Sequence, residues 1–449
     1  MFQTLRNAWK IADLRKKILF TLLIVLIFRI GSLVTVPYVD VTLLTNPWET
    51  VLEGSAGLGY LTMISGGGFS NASVFALSIT PYINASIIIQ LLTVAIPKLE
   101  ELAKEGESGR KTIAKITRFV TVGLGLLLGI GYYFMLRSGS VFGKGSLLVK
   151  EAQSGWEAWF AAVVIVLCFV AGSALVMWLG EQINEHGIGN GISILLFAGI
   201  LSGIPNAAAN LWSNFYDLGI TALKEGDTSF GLKYVILVPA VLIIFLAIIA
   251  LIVFITDAER RIPVQYAKRV VGRKMYGGQS TFIPIKVNMS GVMPIILASS
   301  IVSLPSILQT FFSWKDNAIL NAFKQDSWVY ILLYFALIIG FAFFYVTIQY
   351  NPMEMANNLR KNSGAIPGYR PGKPTADYIK RVLNKVTLIG ALFLGFIALF
   401  PSLFGMATGY QGALTLGGTS VMIVVGVALE TTQQIESQMM MRHYKGFLE

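Results

Sequence analysis

Few residues in this 449-residue chain are of types that could do bond-making chemistry, and their spacing discourages it. The single cysteine, Cys168, sits in the apolar run VVIVLCFVAG, which excludes an intrachain disulfide and a cysteine-based metal cluster. The two histidines, His186 and His443, lie far apart, one at a short turn and one in the tail, so they form no metal-ligand set. The run EGESGRK at 105–111 has the flavour of a phosphate loop but lacks the GxxxxGK[ST] spacing that cradles phosphates. No catalytic residue, metal site or cofactor is expected, and any energy must come from a partner or from the membrane. Two constellations remain. One is Arg29, a cation in the middle of an apolar stretch, with Glu157 and Glu430 at the edges of others. The other is a pair of basic stretches, RRIPVQYAKRVVGRK and NLRKNSGAIPGYRPGKPTADYIKR, each in a segment of about 35 residues carrying seven Lys and Arg.

The elements that must position these groups are membrane spans. Hydrophobic residues make up 55% of the chain and charged residues 13%, with a mean hydropathy of +0.67. A soluble domain carries about 25% charged residues, so this chain lacks the polar material to coat a water-facing surface. Ten spans are expected, at 18–36, 74–96, 117–137, 158–179, 188–204, 233–255, 291–311, 328–350, 386–404 and 414–432. The 188–204 and 291–311 spans are weak, the first short and glycine-rich, the second interrupted by serine and proline. Weak spans suit helices shielded from lipid by their neighbours, with a misplaced boundary as the alternative. When residues at span edges are counted with the adjoining loop, 27 Lys and Arg fall on the side of the N-terminus, 7 fall on the other, and Arg29 alone stays inside. That asymmetry orients both termini toward the cytoplasm and removes most of the case that the +11 net charge serves nucleic acid.

Several segments carry more than orientation. Residues 1–17 form a basic amphipathic stretch expected to lie along the cytoplasmic surface, with no cleavable signal peptide. Residues 54–73 are glycine-rich and free of Lys and Arg, too flexible for a span and too apolar for an ordinary loop. Either a re-entrant element shielded inside the protein or an outer-surface loop would account for them. Arg29 has two readings, a structural one (snorkelling or pairing with a neighbour) and a place in a conduction path. The basic loops at 256–290 and 351–385 exceed what orientation needs, and docking to an acidic protein or to RNA is the economical reason. Five spans per half, 18–204 and 233–432, separated by an external loop at 205–232 and followed by a tail at 433–449, imply two halves inserted with opposite orientation.

Long, non-repetitive strings run through the chain: ALSITPYINASIIIQLLT (76–93), EGESGRKTI (105–113), GIGNGISILLFAGI (187–200), RRIPVQYAKR (260–269), KVNMSGVMPIILASS (286–300), NPMEMANNLRKNSGAIPGYRPGKPTADYI (351–379) and GGTSVMIVVGVALET (417–431). By these strings the chain resembles the SecY family of bacterial protein-conducting channel subunits. The residue choices look like those of a Bacillus-like Firmicute. The resemblance implies an all-α polytopic fold of ten transmembrane helices, in two inverted five-helix halves forming a clamshell around an hourglass pore. It implies that unfolded secretory polypeptides cross the bacterial plasma membrane through that pore, while hydrophobic segments leave into lipid through a lateral gate between spans 2 and 3 and spans 7 and 8. Its pore ring falls on Ile83, Ile87, Ile192, Leu196, Ile296 and Ile423, with Leu196 departing from the usual isoleucine. Its plug falls on 58–70, including Gly66, Gly67, Gly68 and Phe69, and its partner surface on Arg370 with Lys268, Arg269, Arg273 and Lys274. Gln90, Thr93 and Asn288 are candidate polar contacts at the lateral gate. Implied partners are the small membrane subunits SecE and SecG, the SecA motor ATPase, the ribosome through protein and rRNA, the unfolded preprotein or signal peptide, and membrane lipids. A ring of apolar branched side chains suits that task. It has no fixed ligand geometry, so it can deform around varied passengers, and it resists ions by dewetting when empty. A small-solute transporter would need buried ionisable groups that are scarce here, and a non-conducting scaffold would tolerate charged replacements at the ring.

Overall fold

The computed structural model describes residues 2–40, 62, 64–138, 146–149, 152, 155–212, 220, 228–266, 269–271, 274–276, 280–311, 327–408 and 418–445. Helices occupy each of the ten apolar stretches. They are α2 (Ala12–Gly31), α3 (Thr80–Ala95), α5 (Glu107–Ser138), α6 (Gly155–His186), α7 (Gly191–Leu211), α8 (Thr228–Thr256), α9 (Met293–Phe311), α10 (Trp328–Gln349), α12 (Lys373–Thr408) and α13 (Gly418–Lys445). Shorter helices α1 (Phe2–Lys10), α4 (Pro97–Lys104) and α11 (Pro352–Lys361) lie between them. Among the described residues, four helical stretches are long and apolar enough to cross a membrane alone: Glu107–Ser138, Gly155–His186, Trp328–Lys361 and Lys373–Phe400. The pair α3 and α4, bent by 102°, makes a fifth. The chain is therefore a polytopic, helical membrane protein.

The boundaries follow local chemistry. The first long helix starts at Ala12, not 18, so Arg15, Lys16 and Lys17 belong to its first turns, and the amphipathic N-terminal piece is only Phe2–Lys10. That piece packs on α13, where Ala8, Leu14, Ile188 and Ile435 share a small core. The second long helix starts at Thr80, with Pro81 in its first turn, and the apolar residues 74–79 before it are turns. Extended Ile96 followed by Pro97 breaks the axis into α4. In α11, Asn351 accepts from the Met353 and Glu354 amides, Pro352 stands at the start, and Arg360 and Lys361 close the last turn against the helix dipole.

The weak span at 188–204 is a full helix of 21 residues, α7. Its start is a tight turn against α6. A Cβ at Gly191 would lie 1.9 Å from the Gly180 carbonyl oxygen, so only glycine fits there. Asn184 Oδ1 accepts from the Gly191 amide at 2.7 Å and fixes the turn. The 191–200 stretch of α7, the first turns of α9 and the 420–427 stretch of α13 contain no exposed residue, as interior helix segments should. In α9 the serines turn inward yet remain satisfied: Ser299 and Ser303 donate to the carbonyls of Ile296 and Ser300 at 2.9 and 3.0 Å.

The helical reading misses one element. The basic loop at 256–290 is an antiparallel hairpin, β1 (Glu259–Tyr266) against β4 (Ser280–Lys286), in a register that opposes Ile262 to Ile283 and Val264 to Thr281. Inside it, β2 (Arg269–Val271) pairs with β3 (Lys274–Tyr276). A third strand, β5 (Gly364–Ala365), adds to the free edge of β1 through Gln265 with Ala365 and Tyr266 with Gly364. The two basic loops are therefore one platform. Its own core contains Ile262, Val264, Ile285, Leu359, Ile366 and Ile379, with Tyr266, Tyr369 and Tyr378 packed on it.

Candidate functional site

Residues of the expected ring converge. Ile83 comes from α3, Leu196 from α7, Ile296 from α9 and Ile423 from α13, and these four are between 1% and 7% exposed. Ile87 and Ile192 are partly buried and pack against the same hydrophobic cluster. All six thus share one apolar cluster built from helices of both halves. The i to i+4 spacing of Ile83 with Ile87, and of Ile192 with Leu196, places each pair on one helical face.

Against this cluster lies the glycine-rich segment. Of 58–70, residues 58–61 and 63 lie outside the described residues, and Thr62 and 64–70 are fully enclosed. The described residues of the segment are thus placed as a shielded element is, and not as an outer-surface loop. Its backbone is satisfied turn by turn: the Gly67 amide donates to the Thr62 carbonyl at 2.9 Å, Phe69 to Ser65 Oγ at 2.9 Å, and Ser73 to the Gly68 carbonyl at 2.9 Å. Phe69 is stacked on Tyr132 at 4.4 Å between ring centroids, and Tyr132 packs on Phe169 at 4.8 Å. The Tyr132 hydroxyl donates to the Phe69 carbonyl. A bridge between Thr35 and Ser73 ties the end of the segment to the chain leaving α2. At the other end the Arg29 guanidinium donates to the Gly66 carbonyl at 2.6 Å. Of the two readings for Arg29, pairing with a neighbour is thus observed, and the neighbour is a backbone oxygen.

The expected gate residues divide. Gln90 and Asn288 line one cavity of about 460 Å³ together with Lys286, Tyr345, Gln349 and Glu430. Gln90 Oε1 accepts from the Tyr345 hydroxyl at 2.9 Å, a bond from α3 in the first half to α10 in the second. Asn288 Oδ1 is buried without a hydrogen-bond partner. Thr93 takes no part, since its hydroxyl donates to the Gln90 carbonyl of its own helix at 2.7 Å. Tyr345 was not legible as a site residue, because its partner is 255 positions away. Tyr345→Phe should keep the fold and remove this inter-half bond, lowering thermal stability of the purified protein by about 1 kcal/mol. An unchanged melting temperature would show that the bond contributes nothing.

On the platform, Arg370 is exposed, between Gly368 and Gly372 in left-handed backbone with φ of 84° and 106°. Its carbonyl accepts from Thr375 Oγ1 at 2.8 Å, and the neighbouring Tyr369 ring packs on Tyr378 at 4.3 Å, so the loop is braced while the guanidinium points outward from it. Arg269 and Lys274 stand on β2 and β3, whereas Lys268 and Arg273 lie outside the described residues. The sheet adds a residue the sequence reading passed over: Arg261 lies over the Phe282 ring at 4.7 Å and pairs with Glu259 at 2.7 Å. Among the described residues no group of three or more His, Cys, Asp and Glu side chains could hold a metal ion.

The family profile described as SecY matches residues 73–432. The chain is 44% identical to the protein translocase subunit SecY of Streptomyces galbus over 460 residues, with 100% of both chains covered. It is 42% identical to the Mycobacterium tuberculosis protein translocase subunit SecY over 466 residues, again with 100% of both covered. A solved protein-conducting channel shares the fold, with a TM-score of 0.61 and 17% identity over 94% of this chain and 92% of that one. These two sequence relatives are actinobacterial, and the Firmicute impression finds no support in them. End-to-end coverage at this identity sets aside the solute-carrier and scaffold alternatives: the chain belongs to the SecY family of protein-conducting channel subunits and is not an enzyme.

Proposed function

We propose that this chain passes unfolded secretory polypeptides across the bacterial plasma membrane through the cluster of Ile83, Ile87, Ile192, Leu196, Ile296 and Ile423. The observation that carries this reading is the convergence of these six side chains from four helices on one apolar cluster, with the buried glycine-rich segment packed against it. In this reading the ten helices are ten spans in two inverted halves, both termini face the cytoplasm, and the cluster is the neck of an hourglass. The segment around Gly66, Gly67, Gly68 and Phe69 is the plug that closes the outer side.

Hydrophobic passengers leave sideways, past the seam that Gln90, Asn288 and Tyr345 line. Polar groups at a seam facing lipid suit that role, because their hydrogen bonds close it at modest cost and an apolar helix can replace them. The platform with Arg370 at its rim receives the motor ATPase SecA or the ribosome, charge against charge, and SecE and SecG complete the membrane complex. A stalled secretory chain carrying a photoreactive residue should crosslink to positions 83, 87, 192 and 423, and to outward-facing Leu22 of α2 only at background level. Crosslinks distributed evenly over lipid-facing helices would sink the pore assignment.

A further inference from the structure

Arg29 is the one cation inside a predicted span, and the junction it forms has a specific construction. Its Nη1 donates to the Gly66 carbonyl at 2.6 Å. Gly66 is in left-handed backbone, φ +64°, and a Cβ there would lie 2.9 Å from Ser202 Oγ and 3.2 Å from the Gly199 Cα. A Cβ on Gly199 in turn would lie 2.4 Å from the Ile64 carbonyl oxygen. Two glycines therefore let the segment's backbone touch α7 directly, one turn beyond Leu196 of the ring, and the arginine of α2 covers the contact. Ser202 Oγ is itself directed to the Gly199 carbonyl at 2.7 Å, so the Gly66 carbonyl is left for Arg29.

We propose that Arg29 is a positioning residue for gating, a latch that keeps the glycine-rich segment seated on α7 in the resting channel; this rests on reading that segment as the plug. The Arg29 side chain is exposed in this chain, but its acceptor is the carbonyl of buried Gly66, so the bond ties an enclosed backbone group to the outer face of α2. Moving the segment outward strips the guanidinium of its acceptor until water or the carbonyls of an arriving passenger replace it. The glycine contact supplies fit without side chains that would have to be dragged past α7. Together they make a closure that is specific yet contains no residue needing to be deprotonated or cleaved for release.

The test uses the chain assembled with its small membrane subunits in proteoliposomes, in a Cys168→Ala background bearing Thr62→Cys. Thr62 is fully buried, and its carbonyl accepts from the Gly67 amide, so a thiol there reports on the seat of the segment. A membrane-impermeant maleimide added from the outer side should label the Arg29→Gln variant about tenfold faster than the parent, the size expected for losing one charge-assisted bond. Arg29→Lys, which keeps a cationic donor, should recover most of the protection. Labelling of Arg29→Gln within twofold of the parent overturns the latch. If that variant fails to assemble, Gly66→Ala, which disturbs the same contact from the other partner, is judged by the same criterion. Resting ion leak of Ile423→Asp is measured in parallel. Leak there without faster labelling in Arg29→Gln defeats the latch and spares the pore, and absence of leak there defeats the pore assignment itself.

Discussion

Ile423→Asp is expected to raise the resting ion conductance of the reconstituted channel by about 10- to 100-fold, whereas Ile423→Leu should leave it within about twofold. Ile423 is 3% exposed and shares its cluster with Ile83, Leu196 and Ile296. The side chains of Ile83, Leu196 and Ile296 have no group that can donate a hydrogen bond to a carboxylate, so the group keeps its water or is not ionised. If the cluster is the neck proposed above, water drawn into it abolishes the dewetted barrier, and each 1.4 kcal/mol removed from a permeation barrier is a factor of about ten in rate. The leucine control conserves volume and apolarity, separating wetting from a packing defect. Ion efflux from proteoliposomes reads both. An aspartate channel as tight as the parent would mean that the neck lies elsewhere.

If the platform docks the motor as proposed, Arg370→Glu is expected to lower SecA-driven translocation by about tenfold or more, because it would turn an attraction into a repulsion. The fold should be spared. Arg370 is exposed, the loop's bracing comes from its carbonyl and from the Tyr369 and Tyr378 pair, and an exposed substitution of this kind shifts stability by about 0.5 kcal/mol or less. Arg370→Lys should fall between the two, since it keeps the charge and loses the planar, two-pronged donor. Raising the salt concentration should weaken the parent more than the glutamate variant. Translocation of a purified preprotein into inverted vesicles, with melting temperature measured alongside, checks each point. Full activity in the glutamate variant would remove the loop from the motor's docking surface.

Helices were the most legible part of this chain, and the reason is energetic. A segment such as 328–350 is apolar all round, a pattern with one common explanation. The glycine-rich segment could be narrowed to two placements from composition, but Arg29 could not be given a partner, because its acceptor is a backbone carbonyl and leaves no mark in the sequence. Gln90 was singled out while Tyr345 was not, although one hydrogen bond joins them. Thr93 is equivalent to Gln90 by sequence position, yet its hydroxyl is bonded within its own helix. The hairpin was hidden for another reason. Ile262 and Val264 do alternate as a strand requires, but Arg260, Arg261 and Pro263 interleave them and make the stretch read as a charged loop. The helices of the 18–36 and 74–96 spans start six residues away from the hydropathy edges because hydropathy ignores caps, whereas Pro81 and extended Ile11 define where helical hydrogen bonding begins.

The pairing of β5 with β1 also bears on the order in which the molecule is made. Gln265 and Ala365 are opposite each other in the sheet and 100 residues apart in the chain, with the two long helices α9 and α10 and the short α11 between them. β1 leaves the ribosome early and waits with one edge unpaired until both helices have been threaded and Gly364 has followed. The three-stranded sheet is therefore finished only after residues 364 and 365 have been synthesised, and a shorter nascent chain cannot present it whole.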